Sequence, residues 1–293
     1  MTDIVSSLGS PILLGILLGG MYAVAGIGLS LVFGVMKLIN LAFGDMIVLA
    51  SYLGYVFLSV LGLDPIIGLL LLIPAMFAIG LIIYRFLVNR VFKINVEAPL
   101  VLTFGISIIL QNIFLIIWSP YSKGLNTSYS LSSFGVGSFV VPVIYLFDLI
   151  AGVLSMLFLV YFLRKSYLGL AIRTASQDSK MALLLGINTD RVFALTFAIS
   201  MAFAAIAGVF LGMTLPFTPV SGSSYLLIAF GVVIIGGLGS IFGTFVGGLI
   251  LGLSQTLGGT FFGVGYQLLV SYVIILAIMS IRPEGLFGRS GRR

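Results

Sequence analysis

The sequence predicts an all-α fold: a polytopic transmembrane helical bundle. Of the 293 residues, 60% are hydrophobic and only 8% are charged, whereas soluble domains carry about 25% charged residues. The hydrophobic residues form runs long enough to cross a bilayer, which takes ~20 residues for ~30 Å of hydrocarbon. Cysteine and histidine are absent, which excludes disulfide scaffolds, thiol or imidazole catalysis and the common Zn, Fe–S and haem sites.

Eight apolar runs define the elements of a single transmembrane domain over 1–293. Their length and their content of Gly, Phe and Leu favour helices over barrel strands, which would alternate over ~10 residues. The runs are 11–34, 41–61, 66–88, 98–118, 142–163, 192–214, 225–257 and 266–281. The seventh is interrupted at Gly236-Gly237-Leu238-Gly239-Ser240 and is too long for one crossing without a large tilt. It forms either two short crossings or one crossing with a re-entrant piece, so about eight or nine crossings are expected.

Basic residues predict the orientation, because cytoplasmic loops carry an excess of Lys and Arg. They lie at one set of run ends: Lys37, Arg85, Arg90, Lys93, Arg164, Lys165, Arg173, Lys180, Arg191, Arg282, Arg289, Arg292 and Arg293. The connections at the other ends, 62–65, 119–141, 215–224 and 258–265, contain only Lys123. An external N-terminus and a cytoplasmic C-terminus require two crossings in 225–257, which favours nine. The net charge of +6 is therefore an orientation signal and does not indicate nucleic-acid binding.

The longest basic connection, 164–191, is predicted to contain a short helix over 175–185. Thr174 and Gln177 have the spacing of a capping box, Asp178 suits the first turn, and Gly186 is a helix stop. One face of this helix would carry Ala175, Ser179, Ala182 and Leu185. Such a stripe of small residues can enter a groove of a partner protein at close approach. Alternatively, the helix lies on the bilayer surface, held by Lys and Arg near anionic lipid.

Polar residues inside the runs are candidates for a translocation pathway or gate. Asp45 ends the segment Asn40-Leu-Ala-Phe-Gly44-Asp45, and intramembrane carboxylates are costly and tend to mark function. Alternatively, Asn40 caps the second helix and Asp45 faces its dipole or Lys37. The fourth run carries polar residues that serve either as interhelical hydrogen-bond partners or as a polar path: Thr103, Ser107, Gln111 and Asn112. Asp148, about one turn inside the fifth run, is expected to face water.

The extracytoplasmic loop 119–141 offers the largest outer surface for a docking partner. Gly135 and Gly137 lie between β-prone stretches, so the loop forms either a small hairpin or an unstructured connector.

Signatures of several enzymes are missing. The chain has no P-loop sequence for binding ATP. Gly44-Asp45 is similar to the motif of intramembrane aspartyl proteases, but these enzymes need two carboxylates at one site, and Asp148 is the only other acid inside a run. The absence of histidine excludes a Ser–His dyad. We therefore expect a non-catalytic chain.

Several blocks resemble the LivH-type permeases of branched-chain amino-acid ABC importers. The first two are Tyr22 to Tyr55, with Gly28-Leu-Ser-Leu-Val-Phe-Gly34, and the stretch from Ala98 to Asn112. The others are Gly169 to Asn188, which is similar to that family's coupling loop, Gly237-Leu-Gly-Ser240, and the ending Arg282-Pro-Glu-Gly-Leu-Phe-Gly288. They cover nearly the whole chain in order. The form Asn-x-Ala-x-Gly-Asp resembles LivH rather than its partner LivM.

The resemblance implies a subunit of the inner membrane of a bacterium or archaeon. Its partners would be a second, LivM-like permease, two ATP-binding cassette subunits that bind the ATP, an extracytoplasmic substrate-binding protein and membrane lipid. The helix 175–185 would sit in the ATPase groove, with Ala182 and Gly186 allowing close approach. The chain itself would need no cofactor, because it supplies a bistable element and not the chemistry.

The resemblance leaves the substrate open. The family commonly has His where Phe43 stands, so a role for that imidazole does not carry over. Related permeases move urea, short amides or other amino acids. Whether the permease pair is homodimeric or heterodimeric is also open. The alternative function is a stand-alone secondary transporter or channel for a small polar solute, which would need a buried relay of ionisable groups.

Overall fold

The computed structural model describes residues 2–92, 97–130, 132–136 and 139–288. In these residues the chain forms twelve α-helices: α1 Thr2–Met36, α2 Phe43–Leu61, α3 Pro65–Ile83, α4 Asn89–Phe92, α5 Ala98–Trp118, α6 Val143–Lys165, α7 Tyr167–Gln177, α8 Ser179–Leu184, α9 Thr189–Thr214, α10 Gly222–Gly236, α11 Ile241–Phe262 and α12 Gln267–Ile281. The strands are β1 Ser133–Val136 and β2 Phe139–Pro142. The predicted all-α bundle is confirmed. The predictions that involve Lys93, Gly137, Arg289, Arg292 and Arg293 lie outside the described residues.

The helices run between two ends of the bundle. We call one the basic end, where Gly34, Arg164, Gly239 and Phe287 line a common cavity. The opposite end carries the β1–β2 hairpin and the connection between α2 and α3. Among the described residues, eight helical segments are long and apolar enough to cross a membrane, and α10 is a shorter apolar helix.

The long apolar run 225–257 folds into two antiparallel helices, α10 and α11. Gly237 and Gly239, which have φ values of +101° and +85°, form the turn between them at the basic end. With 15 residues, α10 rises only about 22 Å, less than the ~30 Å of a hydrocarbon core. The segment before it lies at the opposite end, where Phe217 pairs with Lys123 of the 119–141 loop. The described chain therefore passes nine times between the two ends.

Glycine contacts pack α1 into the centre of the bundle. A Cβ at Gly19 would lie 2.6 Å from the Leu249 Cα of α11, and one at Gly20 would lie 2.4 Å from the Leu149 Cα of α6. Small residues allow this approach, which matters in lipid because association there relies on packing rather than on a hydrophobic driving force. Accordingly, 78% of the most apolar window of α1 is buried, against 17% for α5 and 11% for α12. The exposed faces of α5 and α12 are thus left for lipid or a partner.

The opposite end is ordered by a hairpin and a helix cap. β1 and β2 pair in antiparallel register, with Phe134 opposite Val141, so the hairpin alternative for the 119–141 loop is confirmed. Asp64 caps α3 by accepting the Ile66 N–H at 2.9 Å, and the Tyr129 hydroxyl donates to the same carboxylate at 2.8 Å. Burial raises the pKa of Tyr129 to about 12, so this hydroxyl stays protonated as a donor at neutral pH.

Asp148 does not face water, which corrects the sequence prediction. It is fully buried, at 0% exposed, and its Oδ2 accepts a hydrogen bond from the Thr214 hydroxyl of α9 at 2.9 Å. The reason is the close packing of α6 on α1 at Gly20, where the backbone carbonyl of Asp148 lies 2.8 Å from an added Cβ. This contact turns the carboxylate side of the helix into the bundle.

Candidate functional site

The predicted pathway residues of α2 and α5 meet in one buried polar contact. Asp45 is 1% exposed. Its carboxylate accepts a hydrogen bond from the Ser107 hydroxyl at 2.5 Å and another from the Gln111 Nε2 at 3.1 Å. Ser107 and Gln111 are four residues apart, so they lie on one face of α5. This contact holds α5 against the start of α2.

Thr103 and Asn40 extend the same contact toward the basic end. The Thr103 hydroxyl lies one further turn along the same α5 face, accepts the Leu41 N–H at 3.2 Å and donates to the Leu100 carbonyl at 3.1 Å. Asn40 accepts the Ala42 N–H at 3.1 Å. Asn40 does not cap α2, because the N-cap position is Ala42. The Asp45 carboxylate binds α5 and not Lys37. Asp45 does lie in the first turn of α2, where a carboxylate faces the positive end of the helix dipole, so that alternative is compatible with the structure.

Gly44 brings α10 against the start of α2. A Cβ at Gly44 would lie 1.9 Å from the Gly222 carbonyl oxygen, and a Cβ at Gly222 would lie 2.1 Å from the Asp45 Oδ1. Both glycines are therefore required by the packing. Gly222 was not singled out in the sequence. The only feature that could have indicated it is its position at the start of α10, the first of the two helices formed by the long apolar run.

Asn112 is separated from this contact, although it follows Gln111 in the chain. It lies on an exposed face of α5, where its side-chain amide donates to the Ile108 carbonyl of its own helix at 2.8 Å. The same face includes Gly105, at which an added Cβ would meet no atom within 4 Å. This chain leaves a polar side chain uncovered in the middle of an apolar span.

The predicted helix over 175–185 is two helices, which corrects its boundaries. α7 ends at Gln177, and Asp178 is the N-cap of α8, with its carboxylate accepting the Lys180 and Met181 N–H groups at 2.9 and 3.1 Å. The capping box was also wrong, because Thr174 donates to the Leu170 carbonyl within α7. Asp178 breaks the helix since its short side chain competes for backbone N–H groups, as Asp does at caps.

The break also removes the single small-residue face predicted for this segment. Ala175 and Ala182 are buried in the chain itself, at 3% and 0% exposed, because they pack inward from α7 and α8. Gln177, Asp178 and Gly186 are exposed, and Gly186 ends the turn after α8 with a φ of +81°. The small residues therefore support the loop's own fold.

Exposed apolar side chains, and not alanines, form the outer face of α8. We call them the α8 leucine patch: Met181, Leu183, Leu184 and Leu185, at 57%, 61%, 81% and 74% exposed. Leu185 was singled out in the sequence and the other three were missed, although the run Ala182-Leu-Leu-Leu185 was visible. Clustered exposed apolar residues mark sites for a protein partner or a membrane.

The fold and these two sites define a class. Nine passes through a bundle, a buried polar contact between spanning helices and an exposed apolar patch at one end are the features of a polytopic membrane permease. A family model described as "branched-chain amino acid transport system / permease component" matches residues 12–279. The chain belongs to this family.

Curated relatives cover almost the same length. The chain is 35% identical over 289 residues to the high-affinity branched-chain amino acid transport system permease protein LivH of Escherichia coli K12, and 34% over 288 residues to LivH of Salmonella typhimurium. It is 31% identical over 288 residues to the permease protein BraD of Pseudomonas aeruginosa. Each alignment covers 94% of both chains. No solved structure matches. The predicted resemblance is confirmed, and it favours the permease interpretation over a stand-alone transporter.

Proposed function

We propose that the chain is the permease subunit of an ATP-binding cassette importer for branched-chain or closely related amino acids. The names of its LivH and BraD relatives support the substrate class. The α8 leucine patch is the observation that carries the proposal, because four apolar side chains at the basic end need a partner to cover them. Two ATP-binding cassette subunits are the proposed partners there, and they bind the ATP. A second, LivM-like permease and an extracytoplasmic binding protein complete the complex.

The proposed orientation follows from the charges of the two ends. The basic end carries Arg164, Lys165, Arg173, Lys180 and Arg191, whereas the described part of the opposite end carries Lys123 alone. Cytoplasmic loops are enriched in Lys and Arg. The basic end therefore lies in the cytoplasm of a bacterial or archaeal cell, and the N-terminus lies outside.

The proposed pathway runs along the exposed face of α5. Thr103, Ser107 and Gln111 bind α2, so their face is occupied inside this chain. Asn112 lies away from that contact, and a second permease packed on α5 would enclose it between the two chains. The start of α2 then acts as the hinge of a gate beside the pathway, because α2, α5 and α10 meet there. Its residues are Asn40, Gly44 and Asp45.

The test of this function is uptake by the complex reconstituted in vesicles with its ATPases and binding protein. We expect accumulation of labelled leucine that requires enclosed ATP and is reduced by excess isoleucine or valine. Urea in the same excess should leave leucine uptake unchanged. Uptake that persists without ATP, by a chain recovered without any ATPase, would contradict the proposal.

Asn112→Ala and Gln111→Ala should separate the pathway from the structural contact. Removing Gln111 deletes a donor to a buried carboxylate, so we expect a loss of about 1 kcal/mol in the free energy of unfolding. Asn112→Ala should leave that free energy unchanged. It should lower the uptake rate about tenfold, because one lost hydrogen bond to the substrate costs about 1.4 kcal/mol. Thermal unfolding in detergent and initial uptake rates measure the two effects. Normal uptake by Asn112→Ala would remove this face of α5 from the pathway.

A further inference from the structure

The cavity that marks the basic end lies away from the α2–α5 contact and the α8 leucine patch. Its volume is about 740 Å³, within the 300–1,000 Å³ of typical ligand pockets. It lies between the ends of α1 and α6, the helix α7 and the turn that joins α10 to α11. Neither the proposed transport pathway nor the proposed ATPase contact uses it.

The cavity is positively charged and lacks an internal counter-ion. Arg164, from the last turn of α6, and Arg173, from α7, both line it, and no acidic residue does so in the described part of the chain. Neither guanidinium has a hydrogen bond or ion pair among the described residues. The first turn of α11, with Ser240 as its N-cap, also lines the wall, and a helix N-terminus carries partial positive charge. These groups select an anion.

A buried hydroxyl without a partner also lines this cavity. Ser30 of α1 is 0% exposed, and its Oγ has no hydrogen-bond partner among the described residues. Buried polar groups are nearly always hydrogen-bonded, so this hydroxyl indicates a ligand atom that the chain alone does not supply. Arg side chains bind phosphate oxygens with strong, charge-assisted hydrogen bonds.

Apolar residues of spanning helices form the rest of the wall and decide between a free anion and a lipid. The same cavity is lined by Leu31 and Val35 of α1 and by Val160 and Leu163 of α6. These positions are in the last turns of the spans, where the hydrocarbon of the bilayer meets its headgroups. A free phosphate would use the arginines and leave this apolar wall unused, whereas a phospholipid supplies both a phosphate and acyl chains.

We propose that this cavity binds one anionic phospholipid, with its phosphate between Arg164 and Arg173 and an acyl chain along α1 and α6. Basic pockets between spanning helices on the cytoplasmic side are suited to anionic headgroups. The bound lipid bridges α1, α6, α7 and the α10–α11 turn. It therefore ties the loop that carries the α8 leucine patch to the membrane-spanning bundle.

Native mass spectrometry of the delipidated full chain tests this proposal. The probes are phosphatidylglycerol and phosphatidylcholine with identical acyl chains. We expect preferential retention of one phosphatidylglycerol, and about a 30-fold weaker apparent affinity in the double variant Arg164→Gln/Arg173→Gln. Each basic residue near anionic lipid contributes about 1 kcal/mol to the binding free energy. A change of 1.4 kcal/mol in that free energy changes the affinity tenfold. Ser30→Ala, which keeps both arginines, should weaken retention a few-fold.

The matched control is Lys165→Gln/Arg191→Gln, which removes the same charge from the same connection at residues that do not line the cavity. It should retain phosphatidylglycerol as the unmodified chain does. Equal retention of both lipids, or an equal loss in the two double variants, would reduce the effect to general surface charge and overturn the proposal. Displacement of the lipid by excess inorganic phosphate would identify a free-phosphate site and would also overturn it.

Discussion

Replacing Gly44 with alanine is expected to destabilise the folded chain strongly. The new Cβ would lie 1.9 Å from the Gly222 carbonyl oxygen and 2.8 Å from the Leu226 amide nitrogen. Both are backbone atoms, so relief requires α10 to move away from α2 as a unit. Overpacking a tight contact typically lowers the free energy of unfolding by about 1–3 kcal/mol. We expect a loss of about 3 kcal/mol here, at the upper limit of this range, because the contact is between two backbones. Thermal unfolding of the purified chain in detergent measures this loss.

Gly105→Ala is the matched control for this substitution. It is the same change in another spanning helix, at a position where an added Cβ would meet no atom within 4 Å. Alanine is the better helix former by about 1 kcal/mol, so we expect unchanged or slightly higher stability. Equal unfolding temperatures for the two variants would show that α2 and α10 are not in close contact.

Placing a charge on α8 is expected to separate the chain from its ATPases while leaving it folded. Leu184 is 81% exposed, so Leu184→Asp removes little internal packing. In an apolar groove of a partner, the carboxylate would lose its hydration without gaining a counter-charge. We expect a loss of at least about 2 kcal/mol in binding, as for a hot-spot residue, and thus about 30-fold weaker binding. Co-purification of the ATPase subunits with the tagged chain measures it.

Two further variants make this experiment specific. Tyr121→Asp places the same charge at an exposed position, 74% accessible, at the opposite end, and it should retain the ATPases. Ala182→Glu should destabilise the chain itself, because Ala182 is fully buried against its own helices. Full ATPase recovery with Leu184→Asp would instead assign the α8 leucine patch to the bilayer surface. Loss of the ATPases would also place the basic end in the cytoplasm, because ATP is bound on that side.

The polar residues of α2 and α5 show how far sequence reasoning reaches. Asp45, Ser107 and Gln111 were identifiable because polar groups stand out in apolar spans and seldom occur there without a partner. Their contact with one another was not identifiable, because it depends on α5 lying beside the start of α2. Asp148 was misjudged for the same reason: its depth along α6 was predicted correctly, but its direction depends on how α6 packs against α1.

The sequence by itself determined the class of fold, the apolar runs and which end of the bundle is basic. These properties follow from local composition, because the bilayer requires long apolar helices and their basic flanks fix a direction. Only the tertiary structure decided which faces are occupied. It placed Ala182 inside and Leu184 outside, split the predicted helix 175–185 at Asp178, and set Gly44 against Gly222. In most of the spanning helices, opposite faces differ little in hydrophobicity. Side-chain direction there is decided by close packing between helices that are distant in sequence.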